Sequence, residues 1–170
     1  MGPTGVILRA NREELRMLGY EPSEYIGRSV ADFHVDEDVI ASVMQRLTQG
    51  EPIQDQRARL RARDGSIRHV LIRSTPLIEN GTFKHTRCFT LDVTARVAAE
   101  AELRESEERF RTLADNISIL AWTADRTGAV RWYNKRWLEY TGTSLEDMKA
   151  WGMDGFLHPE HRERVLTTLS

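Results

Sequence analysis

The chain has 170 residues, 24 basic and 26 acidic, with a net charge of −2 and 40% hydrophobic content. That is the balance of a folded globular protein, not of a disordered chain or a strongly basic nucleic-acid module. Cys88 is the one cysteine, which excludes an internal disulfide and a multi-cysteine zinc or iron–sulfur site. No apolar run reaches the roughly 18 residues of a membrane span, and no leader pattern opens the chain. The sequence therefore predicts no membrane segment, no nucleic-acid partner and a cytoplasmic location.

The first predicted element is a short strand, Val6–Ala10, after a Gly turn. Asn11 then caps a helix that Gly19 ends, with Glu14 placed three residues on as in a capping box. Two helical turns follow near Ser23–Ile26 and Ser29–Phe33. Asp36 caps a longer helix carrying Val39, Ile40, Val43, Met44 and Leu47, which Gly50 and Pro52 stop. Arg57–Arg63 alternates strictly, with Ala58, Leu60 and Ala62 on one face and four Arg on the other, which is the pattern of a half-buried strand. Asp64-Gly65 and Asn80-Gly81 read as two-residue hairpin turns flanking strands Ile67–Leu77 and Thr82–Leu91.

Residues 95–117 lack Gly and Pro. Ala99, Leu103, Ser106, Phe110, Leu113 and Ile117 recur at alternating spacings of four and three, the a/d seam of a coiled coil about three heptads long. Beyond it, Ile119–Ala124 and Ala129–Tyr133 read as strands. Asn134 caps a helix ending at Gly142, and Pro159 opens a last helix. Shifting the chain by 123 positions superposes Gly5 on Gly128, Asn11 on Asn134, Leu15 on Leu138, Gly19 on Gly142 and Phe33 on Phe156. A period this long is a duplicated domain, and the second copy is cut short. The chain reads as a piece of a longer repeat protein.

These residues resemble the PAS sensor family. Gly5-Val-Ile-Leu-Arg-Ala-Asn11 is similar to the family's strand-to-helix junction, and Leu18-Gly-Tyr20 with Glu24-Tyr-Ile-Gly27 to the segment after it. Leu91-Asp-Val-Thr94 resembles the close of a PAS core, and Ala101–Phe110 the helix joining tandem PAS units in bacterial sensor kinases. Trp122-Thr-Ala-Asp125, Trp137–Gly142 and His158-Pro-Glu160 resemble a second PAS opening. The resemblance implies an α+β fold: a PAS-like antiparallel sheet with small helices on one face, a long linker helix and an incomplete second PAS. The boundaries are a PAS domain at 1–94 lacking its first strand, a coiled-coil signalling linker at 95–117, and the start of a second PAS domain at 118–170. Because the family places that first strand mid-sheet, its absence leaves open edges, which Ile119–Ala124 of another chain is a candidate to fill.

The resemblance also implies a cavity. If Ala58, Leu60 and Ala62 point inward, hairpin pairing puts Val70, Ile72 and Ser74, then Thr86, Cys88 and Thr90, on that face. With Asn11, Leu15, Ile26, Phe33, Val39 and Val43 they are the candidate lining of a mainly apolar pocket; the plain alternative is that they form only the core. On the outer face, His69, Leu71, Phe89 and Leu91 need a cover, either a second protomer or the 95–117 helix. With Asp92, Thr94, Leu103, Phe110 and Leu113 they are the candidate dimer and relay residues.

No cofactor is assigned. Gly27–Phe33 lacks the cysteine of covalent flavin photosensors, and Asp36–Gln49 lacks the axial histidine of haem sensors. His34, just ahead of that helix, reads as a capping or surface residue. A non-covalent small ligand or flavin stays open. His158 and His161 have no third partner for a metal and read as a solvated helix start. Cys88 reads as a small packed residue. No phosphate loop or phosphoacceptor pattern occurs, so no catalysis is expected within the chain. The resemblance implies a homodimeric sensing and relay module that drives a C-terminal output domain. That output is a histidine kinase first, a diguanylate cyclase or transcription regulator as the alternative; a ligand-free dimerisation module is the bland reading.

Overall fold

A computed structural model describes residues 1–126, 129–144 and 146–147. The expected helix at Pro159 and the His158/His161 pair lie outside the described residues. The chain divides into two compact units, Met1–Ala101 and Glu102–Ser170.

In the first unit, α1 (Arg12–Leu18) starts at Asn11, whose side chain accepts from the Glu14 N–H at 2.7 Å. The reciprocal half of the expected capping box is missing, because the Glu14 carboxylate turns instead to the Tyr25 hydroxyl. A short helix α2 (Pro22–Tyr25) and a 3-10 turn at Val30–Phe33 follow. The helix α3 (Glu37–Thr48) buries Ile40, Val43 and Leu47. Asp36 precedes it without a side-chain cap bond. Its carboxylate is held by the Arg59 guanidinium through two contacts, one at 2.9 Å and the other to Nη2. The better-placed cation has outcompeted the cap, and it ties the start of α3 to the sheet.

Three antiparallel strands in the order β1-β2-β3 follow: β1 (Ile53–Arg61), β2 (Ile67–Glu79) and β3 (Thr82–Asp92). Ala58 pairs with Val70, Ile72 with Thr90 and Ser74 with Cys88. The first strand starts four residues before the expected Arg57, because a bulge hides its alternation. Ile53 pairs with Ser74 and Gln56 with Ile72, so one extra residue sits on β1. That extra residue returns Ile53, otherwise on the wrong face for burial, to the face of Ala58 and Leu60. The β2–β3 connection is the expected two-residue turn at Asn80-Gly81. The β1–β2 connection is not: Ala62 bonds Ser66, leaving three residues, Arg63–Gly65, in the loop.

The expected strand at Val6–Ala10 does not form. Val6 makes one bridge to Ser29, and the Ile7 N–H donates to the Arg28 carbonyl at 2.9 Å. The segment runs extended over the α2–3-10 connection because no neighbouring strand is present to pair with it. The core lies between this layer and the sheet, with Ile7, Leu18, Tyr25, Phe33, Ala58, Leu60, Val70 and Ile72 in one cluster and Ile40, Val43, Leu47 and Ile53 in another.

The helix α4 (Thr94–Asn116) is continuous over 23 residues, about 34 Å at 1.5 Å per residue. In the second unit, β4 (Trp122–Ala124) pairs antiparallel with β5 (Val130–Tyr133), and Asn134 caps α5 (Lys135–Thr141). Within the chain, β4 pairs with β5 of its own unit. No described helix is long and apolar enough to cross a membrane.

Candidate functional site

Alternation along the three strands turns one face toward α3 and the 3-10 turn. Between them the first unit holds a cavity of about 700 Å³, within the size range of small-molecule sites. Phe33, Val43, Leu60, Ile72, Ser74, Thr86, Cys88 and Thr90 line it, all from the expected set. The other seven stand elsewhere, Ala58 and Ala62 buried in the core. Asn11 is exposed and caps α1. Leu15 and Val39 pack against the core from outside. Ile26 is 39% exposed, and Val70 is sealed in the core at 1%.

Sequence reasoning passed over Glu14, Tyr25 and His34, which bring polar chemistry to the cavity wall. Tyr25 O–H donates to Glu14 Oε1 at 3.1 Å. Burial pushes the Glu14 carboxyl up, and the Tyr25 hydrogen bond pulls against it. Burial together with the Glu14 charge drives the Tyr25 phenol upward too, so it stays a donor. His34 is neither a capping side chain nor a surface one. It is 8% exposed, and its Nδ1 is buried without a partner. Burial brings its pKa down to about 4, against a weaker upward pull from Asp36. The ring is therefore neutral at physiological pH. The only sequence signal for it was its place between a Phe and a Val (Phe33-His34-Val35), which reads equally well as a loop.

At the sheet side, Ser74 Oγ meets Thr86 Oγ1 and, at 3.0 Å, Cys88 Sγ. Thr86 O–H donates to the Thr75 carbonyl at 3.0 Å, so these groups satisfy one another. Cys88 is exposed, not the small packed residue expected. Met1 pairs with the edge of β3 at Thr86: its ammonium donates to the Thr86 carbonyl and the Thr86 N–H donates back to the Met1 carbonyl. Among the described residues, no cluster of three His, Cys, Asp or Glu is placed to hold a metal.

The relay candidates occupy the other face and the helix. His69 and Leu71 are half-buried, while Phe89 and Leu91 are 72% and 62% exposed. Asp92 and Thr94 form the junction of sheet and helix. The Thr94 N–H donates to Asp92 Oδ1 at 2.8 Å, the His69 N–H to Thr94 Oγ1 at 2.9 Å, and the Val93 N–H to the His69 carbonyl. Farther along α4, Leu103, Phe110 and Leu113 all stand more than half exposed.

Comparison with known proteins agrees with this architecture. Residues 3–93 match the family described as PAS fold, and residues 108–169 match a second, described as PAS domain. The uncharacterized protein y4lL of Sinorhizobium fredii is 30% identical over 96% of the chain. The peroxide stress-activated histidine kinase mak1 of Schizosaccharomyces pombe is 24% identical over 96%. The chain spans only 20% and 10% of those two proteins. An RNA-binding light-oxygen-voltage receptor shares the fold at a TM-score of 0.53, with 22% identity over 62% of this chain and 31% of its own. Cycle PAS-B of Drosophila melanogaster does so at 0.50, with 17% identity over 54% of this chain and 93% of its own. The sheet with its small helices on one face, the junction at Asp92–Thr94 and the two matched segments, the second beginning within α4, have one common explanation: the chain belongs to the PAS domain family.

Proposed function

We propose that this chain is the sensing and relay portion of a homodimeric bacterial signalling protein acting in the cytoplasm on a histidine kinase output. The observation that carries the reading is the exposed apolar seam of Leu103, Phe110 and Leu113 on the continuous helix α4, carried on at Ile117 just beyond it, with one PAS match at residues 3–93 ahead of the helix and a second, at 108–169, that begins within it. A stripe of that spacing is stable in water only against a partner, and a second copy of the helix is the self-complementary one. The relative in Sinorhizobium supports a bacterial source, and the mak1 relative supports a kinase output. A diguanylate cyclase or transcription regulator is the alternative output. In each case the catalysis or DNA binding belongs to the output domain.

The cavity favours a ligand-responsive sensor over a plain dimerisation module. Its lining combines an apolar wall with Glu14, His34 and the Ser74–Thr86–Cys88 group, the mixture by which small molecules are held and oriented. Non-covalent binding is the mode this lining supports.

Native mass spectrometry of the purified chain tests both parts. The expected result is a dimer, with extra mass when the ligand survives purification. A monomer at micromolar concentration overturns the relay reading. A dimer that takes up no mass from a cell extract overturns the sensor reading and leaves a structural relay.

A further inference from the structure

Among the described residues of the second unit, Asn134 is the most fully engaged polar side chain, and capping accounts for only one of its bonds. It is 0% exposed. Its Oδ1 accepts from Trp137 N at 3.1 Å, the cap bond, and also from Ala121 N at 3.0 Å. Its Nδ2 donates to the Ala114 carbonyl at 2.8 Å and to the Ile119 carbonyl at 2.9 Å. All four hydrogen-bonding positions of the amide are filled. The next residue adds a fifth contact, Lys135 N–H to Asp115 Oδ1 at 2.7 Å. Ala114 and Asp115 sit in the last turn of α4, and Ala114 is that helix's one buried residue.

The internal repeat supplies a control. Asn11 stands at the same place in the first copy, and there the residue is exposed and makes only the cap bond to Glu14 N. Capping needs one side-chain oxygen, which Asp or Ser provides equally well. The two Nδ2 donors of Asn134 therefore serve something else. They hold the end of α4 and the entry to β4 on the start of α5.

We propose that Asn134 is a latch that fixes the last turn of α4 to the second PAS segment, so that a turn of the helix reaches α5 and is not lost in the 117–121 connection. The idea rests on the relay reading above. The opposite end of α4 is already fastened to the first unit's sheet by Thr94 and His69. A helix gripped at both ends transmits torsion, whereas one with a frayed end dissipates it. The grip is buried, and each bond lost there leaves an unpaired polar group.

Amide hydrogen exchange on the intact chain tests it. Asn134→Asp keeps the cap and removes both donors. Asp115→Ala removes the Lys135 contact from an exposed position and keeps the test alive if the first variant unfolds. Both are expected to speed exchange of amides 112–116 by about tenfold while α5 keeps its protection. Thr94→Val, at the other end of α4, is expected to alter exchange at 121–124 in the wild-type background and not in Asn134→Asp. Unchanged 112–116 exchange in both variants overturns the latch, as does a Thr94→Val effect that survives Asn134→Asp. A silent Thr94→Val in the wild-type background overturns the relay reading instead.

Discussion

At the scale of single residues, the burial of His34 makes stability depend on pH. Its ring is buried with Nδ1 unpartnered, and its pKa in the folded protein is about 4 against 6.5 as the ordinary value. Between these two values the unfolded chain binds a proton that the folded one refuses, so stability falls as pH drops through that window and levels off below it. A difference of this size corresponds to about 3 kcal/mol. Urea unfolding of the wild type and His34→Leu at pH 7 and pH 4.5 isolates the effect, because the carboxylates, including the oppositely shifted Glu14, are common to both. The wild type is expected to lose about 2–3 kcal/mol more than the variant over that range. Equal losses would mean that the ring finds a proton-accepting partner in solution.

At the scale of elements, tight turns separate two kinds of glycine. Gly81 has φ +72 and nothing within 4 Å of an added Cβ, so Gly81→Ala meets only the left-handed backbone penalty, about 1 kcal/mol. Gly50 has φ +88, and an added Cβ falls 2.9 Å from Ile78 Cδ1. Gly50→Ala therefore costs that penalty plus a displaced Ile78, about 2 kcal/mol in all. Chemical denaturation that ranked Gly81→Ala as the costlier change would contradict this packing. The same turns show how far local chemistry can be read from the chain. Asn80-Gly81 dictates its own two-residue turn because both residues tolerate positive φ. Asp64-Gly65 carries the same text, yet Asp64 accepts from the Ser66 N–H and the loop closes around three residues. The Asn11 and Asn134 caps, α4 and the inward face of Ala58 and Leu60 were legible because each follows from spacing alone. Ile53 was not, since the bulge with Asp55 at φ +49 breaks the alternation. Nor was the polar cavity wall. Glu14 read as a capping partner and His34 as a loop residue, and only the fold brings them to one surface.

For the whole molecule, the decisive question is what covers its apolar surface. Phe89 and Leu91 on the sheet and Leu103 and Leu113 on α4 are each more than 60% exposed. In a monomer, a charge at such positions changes stability by no more than about 0.5 kcal/mol. Any large effect of Phe89→Glu, Leu91→Glu or Leu113→Glu on association must therefore come from the proposed interface. Each is expected to raise the dimer dissociation constant at least tenfold, about 1.4 kcal/mol, while circular dichroism keeps the folded signal. The Phe89→Glu/Leu113→Glu double variant then tells one interface from two. Sites with no shared partner add their effects within about 0.5 kcal/mol, while sites in one packed surface do not. Additivity is the expected result, because the Phe89 face belongs to the first unit and Leu113 to the second. Two independent contacts, one on β3 and one on α4, would let a change in the sheet contact pass down α4 without breaking the dimer, which a relay requires. Sedimentation equilibrium of the four proteins decides it. If the single variants leave the dimer intact, the exposed seam is not its interface.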